Sequence, residues 1–337
     1  MNWLEQAWYK QAPWLVVLRP LAWIFQSLGY CRRKIQQRAA RPQSHSVPVI
    51  VVGNITVGGT GKTPVLMALA EYFKQQGIKP GIISRGYGGS SGNYPLPVTT
   101  TTAVEDCGDE ALLMAQKTNC PVVVDPNRES ALRYLLDNED VEVILSDDGL
   151  QHYRLHRDIE IAVVDGLRLF GNRQCLPAGP LREPVARLRT VDYVVINGDA
   201  AAELDELNAT STMHLLPRFL INLSNGEKKP FAGAPFNMGS KIQVVSAIGN
   251  PQRFYQSLDK LPYQLEKISF PDHHLFRASD FEDRGIDMQQ PVVMTEKDAV
   301  KCKQFATPNF WYLAVDVQLP QDFLDSLWTR LSSLRVP

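Results

Sequence analysis

The 337-residue sequence has few cysteines, almost no net charge and no long uninterrupted apolar run. Its five cysteines form no Cys-x-x-Cys pair, which excludes a zinc ribbon or a disulfide scaffold and fits a reducing compartment. Lys and Arg (35) nearly balance Asp and Glu (36), so the basic character of a nucleic-acid binder is missing and no nucleic-acid partner is expected. Hydrophobic residues make up 44%, which excludes both a disordered chain and a polytopic membrane protein.

The charge is nevertheless unevenly distributed. Residues 1–41 contain seven basic residues and one acidic residue, and they hold tryptophans at positions 3, 8, 14 and 23. Tryptophan beside basic side chains is typical of a segment at a lipid headgroup interface. The apolar run 14–30 is broken at Arg19 and Pro20, and a spanning helix needs about 20 mostly apolar residues. Segment 1–38 is therefore predicted to associate with a membrane lipid surface, and whether it spans or lies on the bilayer stays open.

Within this segment the sequence predicts one amphipathic helix. Pro20 can serve as its first residue, and the pattern continues to about Arg38. One face of such a helix carries Leu21, Ile24, Phe25, Leu28 and Cys31. That face either packs against the protein's own domain or enters a membrane, and the neighbouring tryptophans and basic residues favour the membrane.

After residue 48, short apolar runs alternate with helical patterns. Strands are predicted at 49–52, 80–84, 121–124, 143–146, 159–165 and 193–197, and helices at about 64–76, 110–117 and 128–137. A second series follows, with strands at 243–247, 291–295 and 310–315 and a helix at 251–258.

This alternation predicts an α/β fold. Its core is a parallel sheet of P-loop NTPase type sandwiched by helices, with a second, smaller α/β lobe. The expected division is a membrane-associating segment at 1–38, a P-loop kinase domain at 39–222, and a smaller lobe with linker strands at 223–337. In such sheets ligands bind beyond the carboxyl ends of the strands.

The segment 49–63 is the strongest motif in the chain. A strand, a glycine-rich loop, Gly61-Lys62-Thr63 and a helix follow one another as in a phosphate-binding P-loop, although Thr56 stands where the strict pattern has glycine. Backbone N–H groups would cradle the phosphates, Lys62 would contact the β- and γ-phosphates, and the Thr63 hydroxyl would ligate Mg²⁺. The predicted nucleotide-binding residues are Thr56, Val57, Gly58, Gly59, Thr60, Gly61, Lys62 and Thr63.

Two adjacent carboxylates, Asp147 and Asp148, end the strand predicted at 143–146. A strand often ends in Asp as a turn or cap, but together with a P-loop the pair indicates a magnesium site. The loop 176–184 offers a further cation and carboxylate. The predicted Mg²⁺ ligands are Thr63, Asp147, Asp148 and Glu183.

Three further segments are ambiguous by themselves. Asp109 opens a predicted helix and is first interpreted as its N-cap. The loop 270–274 contains two adjacent histidines, which are often solvated, and no third ligand stands at metal-like spacing. Residues 295–298 depart at two positions from the guanine-reading Asn-Lys-x-Asp element, which favours ATP over GTP.

In this order the segments resemble one family, the tetraacyldisaccharide 4′-kinases, which are the lipid A 4′-kinases of Gram-negative bacteria. The resemblance covers nearly the whole chain, and the family also tends to lack the first P-loop glycine. Its motifs here are Gly58–Pro64, Ser84–Gly88, Gly108–Glu110, Asp147–His152, Gly179–Pro184, Phe270–His274 and Thr295–Ala299.

The resemblance implies Mg²⁺- and ATP-dependent phosphorylation of the 4′-hydroxyl of a tetraacyldisaccharide 1-phosphate. The product would be lipid IVA, made for lipid A at the cytoplasmic face of the bacterial inner membrane. Besides Lys62, the implied catalytic residues are Asp109 as base and a histidine paired with it, assigned to His273 with His274 as the alternative. Residues expected near the acylated disaccharide are Arg85, Tyr87, Arg128, Gln151 and Arg182.

The competing hypothesis belongs to a different class. A membrane-recruited P-loop ATPase or GTPase switch would also combine a nucleotide site with a membrane-binding segment. It would regulate a protein partner, and the sequence indicates none in particular. Nucleotide consumption that depends strictly on an acylated disaccharide would separate a kinase from such a switch.

Overall fold

The computed structural model describes residues 3–39, 47–199, 210–233 and 236–335. Its α-helices are α1 (Trp3–Tyr9), α2 (Arg19–Ala39), α3 (Lys62–Gln75), α4 (Val104–Cys107), α5 (Asp109–Thr118), α6 (Arg128–Asn138), α7 (Gln252–Leu258), α8 (Ala278–Asp283), α9 (Glu296–Cys302) and α10 (Gln321–Leu334). Its strands are β1 (Val49–Gly53), β2 (Pro80–Ser84), β3 (Leu96–Val98), β4 (Val122–Val124), β5 (Val143–Asp147), β6 (Ile159–Asp165), β7 (Tyr193–Asn197), β8 (Thr210–Asn222), β9 (Lys228–Pro230), β10 (Lys241–Ser246), β11 (Gln264–Ser269), β12 (Val292–Thr295) and β13 (Phe310–Gln318).

The strands form one large, mostly parallel sheet, so the mixed α/β fold expected from the sequence is confirmed. Twelve strands follow the order β11-β10-β12-β13-β8-β7-β6-β1-β5-β2-β4-β3, and β9 pairs with β8 beside this path. Strands β4-β2-β5-β1-β6-β7 are parallel to one another and make up the first parallel section. Strands β11-β10-β12-β13 are likewise parallel and make up the second parallel section.

The long strand β8 joins the two parallel sections. Its beginning is parallel to β7, with Met213 opposite Asn197, and its remainder is antiparallel to β13, with His214 opposite Gln318. The carboxyl ends of both parallel sections therefore meet near residues 213 and 214. Because ligands bind beyond the carboxyl ends of parallel strands, this connection makes the loops of the two sections face one cleft.

Helices cover both faces of the first parallel section. On β1, Ile50 and Val52 enter a core shared with α3, α5 and α10, whereas Val49 and Val51 enter the opposite core shared with α6. Successive strand residues point to opposite faces, so a run of apolar β-branched residues buries a strand on both sides. Helix α10 lies beyond the proposed boundary at residue 222, yet it packs on the first parallel section.

The N-terminal segment packs against the rest of the protein through α1, whereas the following helix α2 is largely exposed. Trp8 is buried, and its Nε1 donates a hydrogen bond to the carbonyl oxygen of Pro177 at 3.0 Å, so this tryptophan is a packing residue and does not face a membrane. On α2, by contrast, Leu21 and Leu28 are 53% and 66% exposed, and Ala22 alone is buried among the described side chains of this helix. The interpretation of α2 as a helix packed on its own domain is therefore wrong. Within the described residues, no helix has the length and apolar character needed to cross a bilayer.

Candidate active site

The glycine-rich loop 54–61 lies at the carboxyl edge of the first parallel section. Strands β1 and β5 are neighbours with Val52 opposite Asp147, so this loop lies directly beside the two carboxylates that end β5. Gly61, at the N-cap of α3, has φ of +98°. A Cβ there would stand 2.7 Å from Nδ2 of Asn197. The loop can therefore turn tightly into α3 only with glycine at this position.

Thr56 occupies the position where the usual motif has glycine, and the structure shows why a side chain fits there. Thr56 is buried, its φ is not positive, and it forms a β-bridge with Leu181. Next to it, the Val57 amide donates to the carbonyl oxygen of Pro180 at 2.8 Å. The loop thus begins as an extended segment paired with residues 180–181, where glycine is not required, and it turns only after Val57.

Lys62 and Arg182 surround the carboxylate of Asp148. Lys62 Nζ lies 3.6 Å from Asp148 Oδ1, and Arg182 Nη1 donates to Asp148 Oδ2 at 2.9 Å. Burial opposes ionisation, but these two cations lower the pKa of Asp148 below its usual range. Asp147 differs, because burial, Glu110 and Asp148 together raise its pKa. The site therefore contains one carboxylate favoured as the anion and one whose ionisation is opposed, although Lys62 and Arg128 partly offset that opposition.

The donor atoms around the two carboxylates suit a hard divalent cation. Oδ1 of Asp147 and Oδ1 of Asp148 are buried and accept no hydrogen bond from the described residues. Thr63, in the first turn of α3, is also buried at the edge of the cleft. Mg²⁺ in nucleotide-using enzymes is usually bound by one or two carboxylates together with phosphate oxygens and water. Thr63, Asp147 and Asp148 fit that requirement.

Glu183, the fourth predicted ligand, is held by other side chains of the protein. Its carboxylate accepts hydrogen bonds from Gln151 Nε2 at 2.9 Å and from the hydroxyl of Tyr153, one on each oxygen, which leaves a lone pair free on each. Across the described ranges, no three His, Cys, Asp or Glu side chains are arranged to hold a metal ion. Glu183 as a magnesium ligand therefore stays a prediction, and in the structure its carboxylate links its own loop to Gln151 and Tyr153.

Asp109 and His273 meet across the cleft although 164 residues separate them. Asp109 opens α5, His273 follows β11, and His273 Nδ1 lies 3.1 Å from Asp109 Oδ1. Gly108 occupies the N-cap position and no side chain caps α5, so the capping interpretation of Asp109 is wrong. His274 Nε2 lies instead 3.0 Å from Asp280 Oδ2, which leaves His273 as the partner of Asp109.

Two lysines on α9 complete the charge arrangement around Asp109. Lys297 Nζ and Lys301 Nζ lie 3.9 Å and 3.4 Å from Asp109 Oδ2. Burial alone would raise the pKa of Asp109, but the hydrogen bond from His273 and the two lysines outweigh it and lower this pKa to about 2. Lys297 also donates to Glu110 Oε1 at 2.8 Å. Asp109 is therefore fully ionised at neutral pH.

Charged side chains approach both ring nitrogens of His273. An ionised carboxylate only accepts hydrogen bonds, so the proton between His273 and Asp109 is on Nδ1. His273 Nε2 lies 3.3 Å from Lys297 Nζ and 3.7 Å from Asp272 Oδ1. The contact of the imidazole with the Tyr87 ring, at 4.6 Å between centroids, holds it in place.

A cleft of about 2500 Å³ is lined by most of these groups, and the buried Asp109 lies directly behind His273 in its wall. Its wall includes the glycine-rich loop, Asp148 and His273, and it extends to Phe25 and Leu28 on α2. A molecule with apolar and polar ends can therefore contact the exposed helix and His273 at the same time.

The comparisons with known proteins agree with this geometry. A sequence profile of the tetraacyldisaccharide-1-P 4′-kinases matches residues 14–332. The chain belongs to this kinase family. The tetraacyldisaccharide 4′-kinase of Legionella pneumophila (strain Corby) is 44% identical over 327 residues, which is 97% of each chain. That of Nitrosococcus oceani is 46% identical over 317 residues, covering 94% of this chain and 90% of the relative.

A solved structure supports the fold of this family member over its length. The crystal structure described as an "apo" form of LpxK from Aquifex aeolicus in complex with ATP superimposes with a TM-score of 0.75 at 27% identity. The match covers 96% of this chain and 99% of that chain. The resemblance to the family that the motifs indicated is thereby confirmed.

In this kinase, three of the residues expected near the substrate are used by the protein itself. Arg128 is buried and donates to the carbonyl oxygens of Asp125 and Asp147, at 3.2 Å and 3.0 Å. Gln151 donates to the carbonyl oxygen of Asn54 at 2.9 Å as well as to Glu183, and Arg182 binds Asp148. Arg85 and Tyr87 keep exposed side chains in the cleft.

The sequence reasoning missed Lys297 and Lys301. Residues 295–298 were compared only with a nucleotide-reading element, whereas in the kinase Thr295 caps α9 and the side chain of Asp298 is buried. Lysines four residues apart lie on one helix face, which is the only signal that the sequence offers for them. Their proximity to Asp109 depends on the packing of α9 against α5.

Proposed function

We propose how this kinase performs the reaction of its family, the phosphorylation of the 4′-hydroxyl of a tetraacyldisaccharide 1-phosphate in lipid A biosynthesis. The observation that carries the proposal is one cleft lined by a glycine-rich loop, a histidine paired with the carboxylate of Asp109, and an exposed apolar helix. The first group suits nucleotide phosphates, the second a sugar hydroxyl and the third acyl chains. ATP as phosphoryl donor accords with the related structure that contains it.

The glycine-rich loop and Lys62 bind the phosphates of ATP. Residues 58–61 lead directly into α3, so their backbone N–H groups and the positive end of the helix are available to the same phosphates. Lys62 adds a point charge there. Thr63, Asp147 and Asp148 would hold Mg²⁺, which would neutralise charge on the phosphate oxygens. Because phosphoryl transfer needs little covalent chemistry, positioning and charge neutralisation supply most of the rate.

Asp109 orients the sugar hydroxyl and accepts its proton. Its Oδ1 is bound by His273, whereas the buried Oδ2 accepts no hydrogen bond from the described residues. A carboxylate with a pKa of about 2 is a weak base. It nevertheless suffices for a loose transition state, because the attacking hydroxyl keeps its proton while bonding to phosphorus is slight and gives it to the carboxylate only once that bond has made it acidic. His273 fixes the carboxylate while the proton is transferred.

Segment 1–38 attaches the kinase to the cytoplasmic face of the bacterial inner membrane. Stable anchoring takes two signals, and α2 offers an exposed apolar face together with basic residues at 32–34 and 38. Phe25 and Leu28 of α2 also line the cleft. The acyl chains of the substrate can therefore stay in the bilayer while the sugar reaches Asp109. In this proposal residues 39–222, with α10, form the nucleotide-binding domain, and the rest of 223–337 forms the smaller lobe.

ATP consumption with and without the acylated disaccharide tests the proposal. We expect turnover to require the disaccharide in the wild-type enzyme and to be lost in Lys62→Ala, with Lys303→Met as a matched lysine control outside the site. Hydrolysis at the same rate without the disaccharide would contradict the proposal and favour a nucleotide-driven switch. The protein should be assayed in detergent micelles or vesicles, because the substrate is a lipid.

A further inference from the structure

Lys301 is a charged side chain in the interior of the protein. Its side chain is 1% exposed, and it does not line the cleft that contains the proposed site. Burying an ammonium group is costly unless carboxylates compensate for it. Lys301 has two such partners, with Nζ 2.8 Å from Asp298 Oδ1 and 3.4 Å from Asp109 Oδ2. Only the second of these belongs to the proposed catalytic pair.

Asp298 holds the ammonium group of Lys301 on the side away from Asp109. Its Oδ2 accepts hydrogen bonds from the Ala247 amide at 3.0 Å and from the Thr295 hydroxyl at 2.7 Å. Ala247 follows β10, and Thr295 ends β12 and caps α9. The ammonium group of Lys301 is therefore anchored to the rigid carboxyl edge of the second parallel section, and it extends from there toward α5.

The two oxygens of Asp109 thus have different neighbours. Oδ1 binds His273, and Oδ2 faces Lys301 at 3.4 Å and Lys297 at 3.9 Å. Lys297 is tied to Glu110 and is partly exposed in the cleft, whereas Lys301 is fixed and inaccessible to substrate. With a cation behind one oxygen and an imidazole on the other, the carboxylate can neither rotate nor move back into the protein.

We infer that Lys301 is a positioning residue for phosphoryl transfer, holding Asp109 from the interior so that its carboxylate stays charged and correctly oriented toward the sugar hydroxyl. The inference rests on the proposed role of Asp109 as the proton acceptor. Lys301 contacts neither substrate nor nucleotide, so it acts only through Asp109. Displacing a reacting group by about 1 Å can cost about 10²-fold in rate, which sets the scale of the expected effect.

The test compares two variants with a control. Lys301→Met keeps an unbranched side chain but removes the charge, and we expect kcat to fall by about 10- to 100-fold with KM for ATP within about twofold. This variant also leaves Asp298 buried without its cation. The double variant Asp298→Asn/Lys301→Met removes both charges, and Asn can still accept from Ala247 and Thr295. Lys303→Met, an exposed lysine two residues further on, serves as the control.

The double variant distinguishes a role of Lys301 in positioning Asp109 from a role in stabilising the fold alone. We expect its thermal stability to return toward that of the wild type while its kcat stays as low as that of Lys301→Met. Recovery of kcat together with stability would overturn the inference, because it would show that Lys301 matters only for folding. If Lys301→Met does not fold, the kcat of the double variant is compared directly with that of the wild type. A low value supports the inference and a normal value overturns it.

Asp109→Asn, measured in parallel, distinguishes the two proposals. An inactive Asp109→Asn beside a fully active double variant overturns the role of Lys301 and leaves the proposed role of Asp109 intact. A fully active Asp109→Asn overturns the proposed role of Asp109, and the inference about Lys301 with it. Loss of kcat in both, with KM for ATP preserved, supports both.

Discussion

Replacing Asp109 by Asn removes one negative charge and almost nothing else. The side chain keeps its shape, and α5 loses no cap because Gly108 occupies the N-cap position. The substitution replaces the carboxylate that faces His273, Lys297 and Lys301 by a neutral amide. The amide cannot accept a proton from a sugar hydroxyl at neutral pH. The variant therefore isolates the chemistry of the carboxylate from its packing.

The structure gives two magnitudes for this variant. Loss of a general base costs about 10²–10⁴-fold, and we expect it in kcat with KM for ATP unchanged, since Asp109 lies outside the glycine-rich loop. The pKa of Asp109 falls from 3.8 to about 2 on folding. At about 1.4 kcal/mol per unit, the charge contributes about 2 kcal/mol to the free energy of unfolding at neutral pH.

The pH dependence of this stability has a defined sign. Because the folded pKa is depressed, the contribution is complete above the unfolded value of 3.8 and is lost as the pH falls through about 2. The wild type should therefore exceed Asp109→Asn in stability at pH 7, and the difference should shrink in strong acid. Denaturant unfolding at several pH values, followed by fluorescence, measures it.

Steady-state kinetics complete the test. His273→Ala should also lower kcat, and the double variant should lose less than the product of the single losses, because coupled catalytic groups are not additive. An Asp109→Asn enzyme with normal kcat would refute the proposed pair. Purely multiplicative losses in the double variant would show that His273 does not act through Asp109.

Three further predictions concern other parts of the cleft. Lys62→Ala should lower kcat by about 10²–10³-fold with an unchanged circular dichroism spectrum, and near-normal turnover would refute its role at the phosphates. Asp148→Asn should lower kcat and raise the Mg²⁺ concentration needed for half-maximal rate; an unaltered Mg²⁺ dependence would exclude it as a ligand. Deleting residues 1–38 should shift the protein from vesicles into solution in a flotation assay, and identical partitioning would place membrane binding on another surface.

Most strands of the two parallel sections could be predicted from the sequence with small errors, but β11, a largely exposed edge strand, was missed. Runs such as 49–52 and 159–165 are apolar and β-branched because both faces of the sheet are covered, and they reappear as β1 and β6. The predicted helices at 64–76 and 251–258 appear as α3 and α7, with ends shifted by at most two residues. The local pattern of apolar residues was sufficient to predict a strand wherever that strand is buried along its full length.

Strand β8 could not be predicted in this way. It spans Thr210–Asn222, and its burial pattern is irregular because it changes partners from β7 to β13 along its length. Pro217 lies within it, close to a register shift opposite Ala314 and Val315, and proline argues against a strand in any sequence pattern. The hydrophobic periodicity of the sequence therefore could not predict β8, the strand that makes the two sections face one cleft.

The site was predicted unevenly for similar physical reasons. The glycine-rich loop and Asp147–Asp148 follow strands directly, so chain order alone brings them to one edge. The pairing of Asp109 with His273 depends on β8, which changes from parallel pairing with β7 to antiparallel pairing with β13 and so brings the two sections together. Only the family resemblance predicted this pairing. Apart from its four-residue spacing from Lys297, Lys301 gave no signal, because a buried lysine on a short helix cannot be told from a solvated one until its tertiary partners are known.

The most direct test of the account is the position of the transferred phosphate. The full-length enzyme in detergent micelles is incubated with ATP labelled at the γ-phosphate, Mg²⁺ and the tetraacyldisaccharide 1-phosphate, and the product is analysed by mass spectrometry and by NMR that correlates phosphorus with sugar protons. The account predicts one added phosphate, bonded to the 4′-oxygen, in an amount equal to the ADP formed. Release of label as inorganic phosphate with the disaccharide unchanged would contradict it.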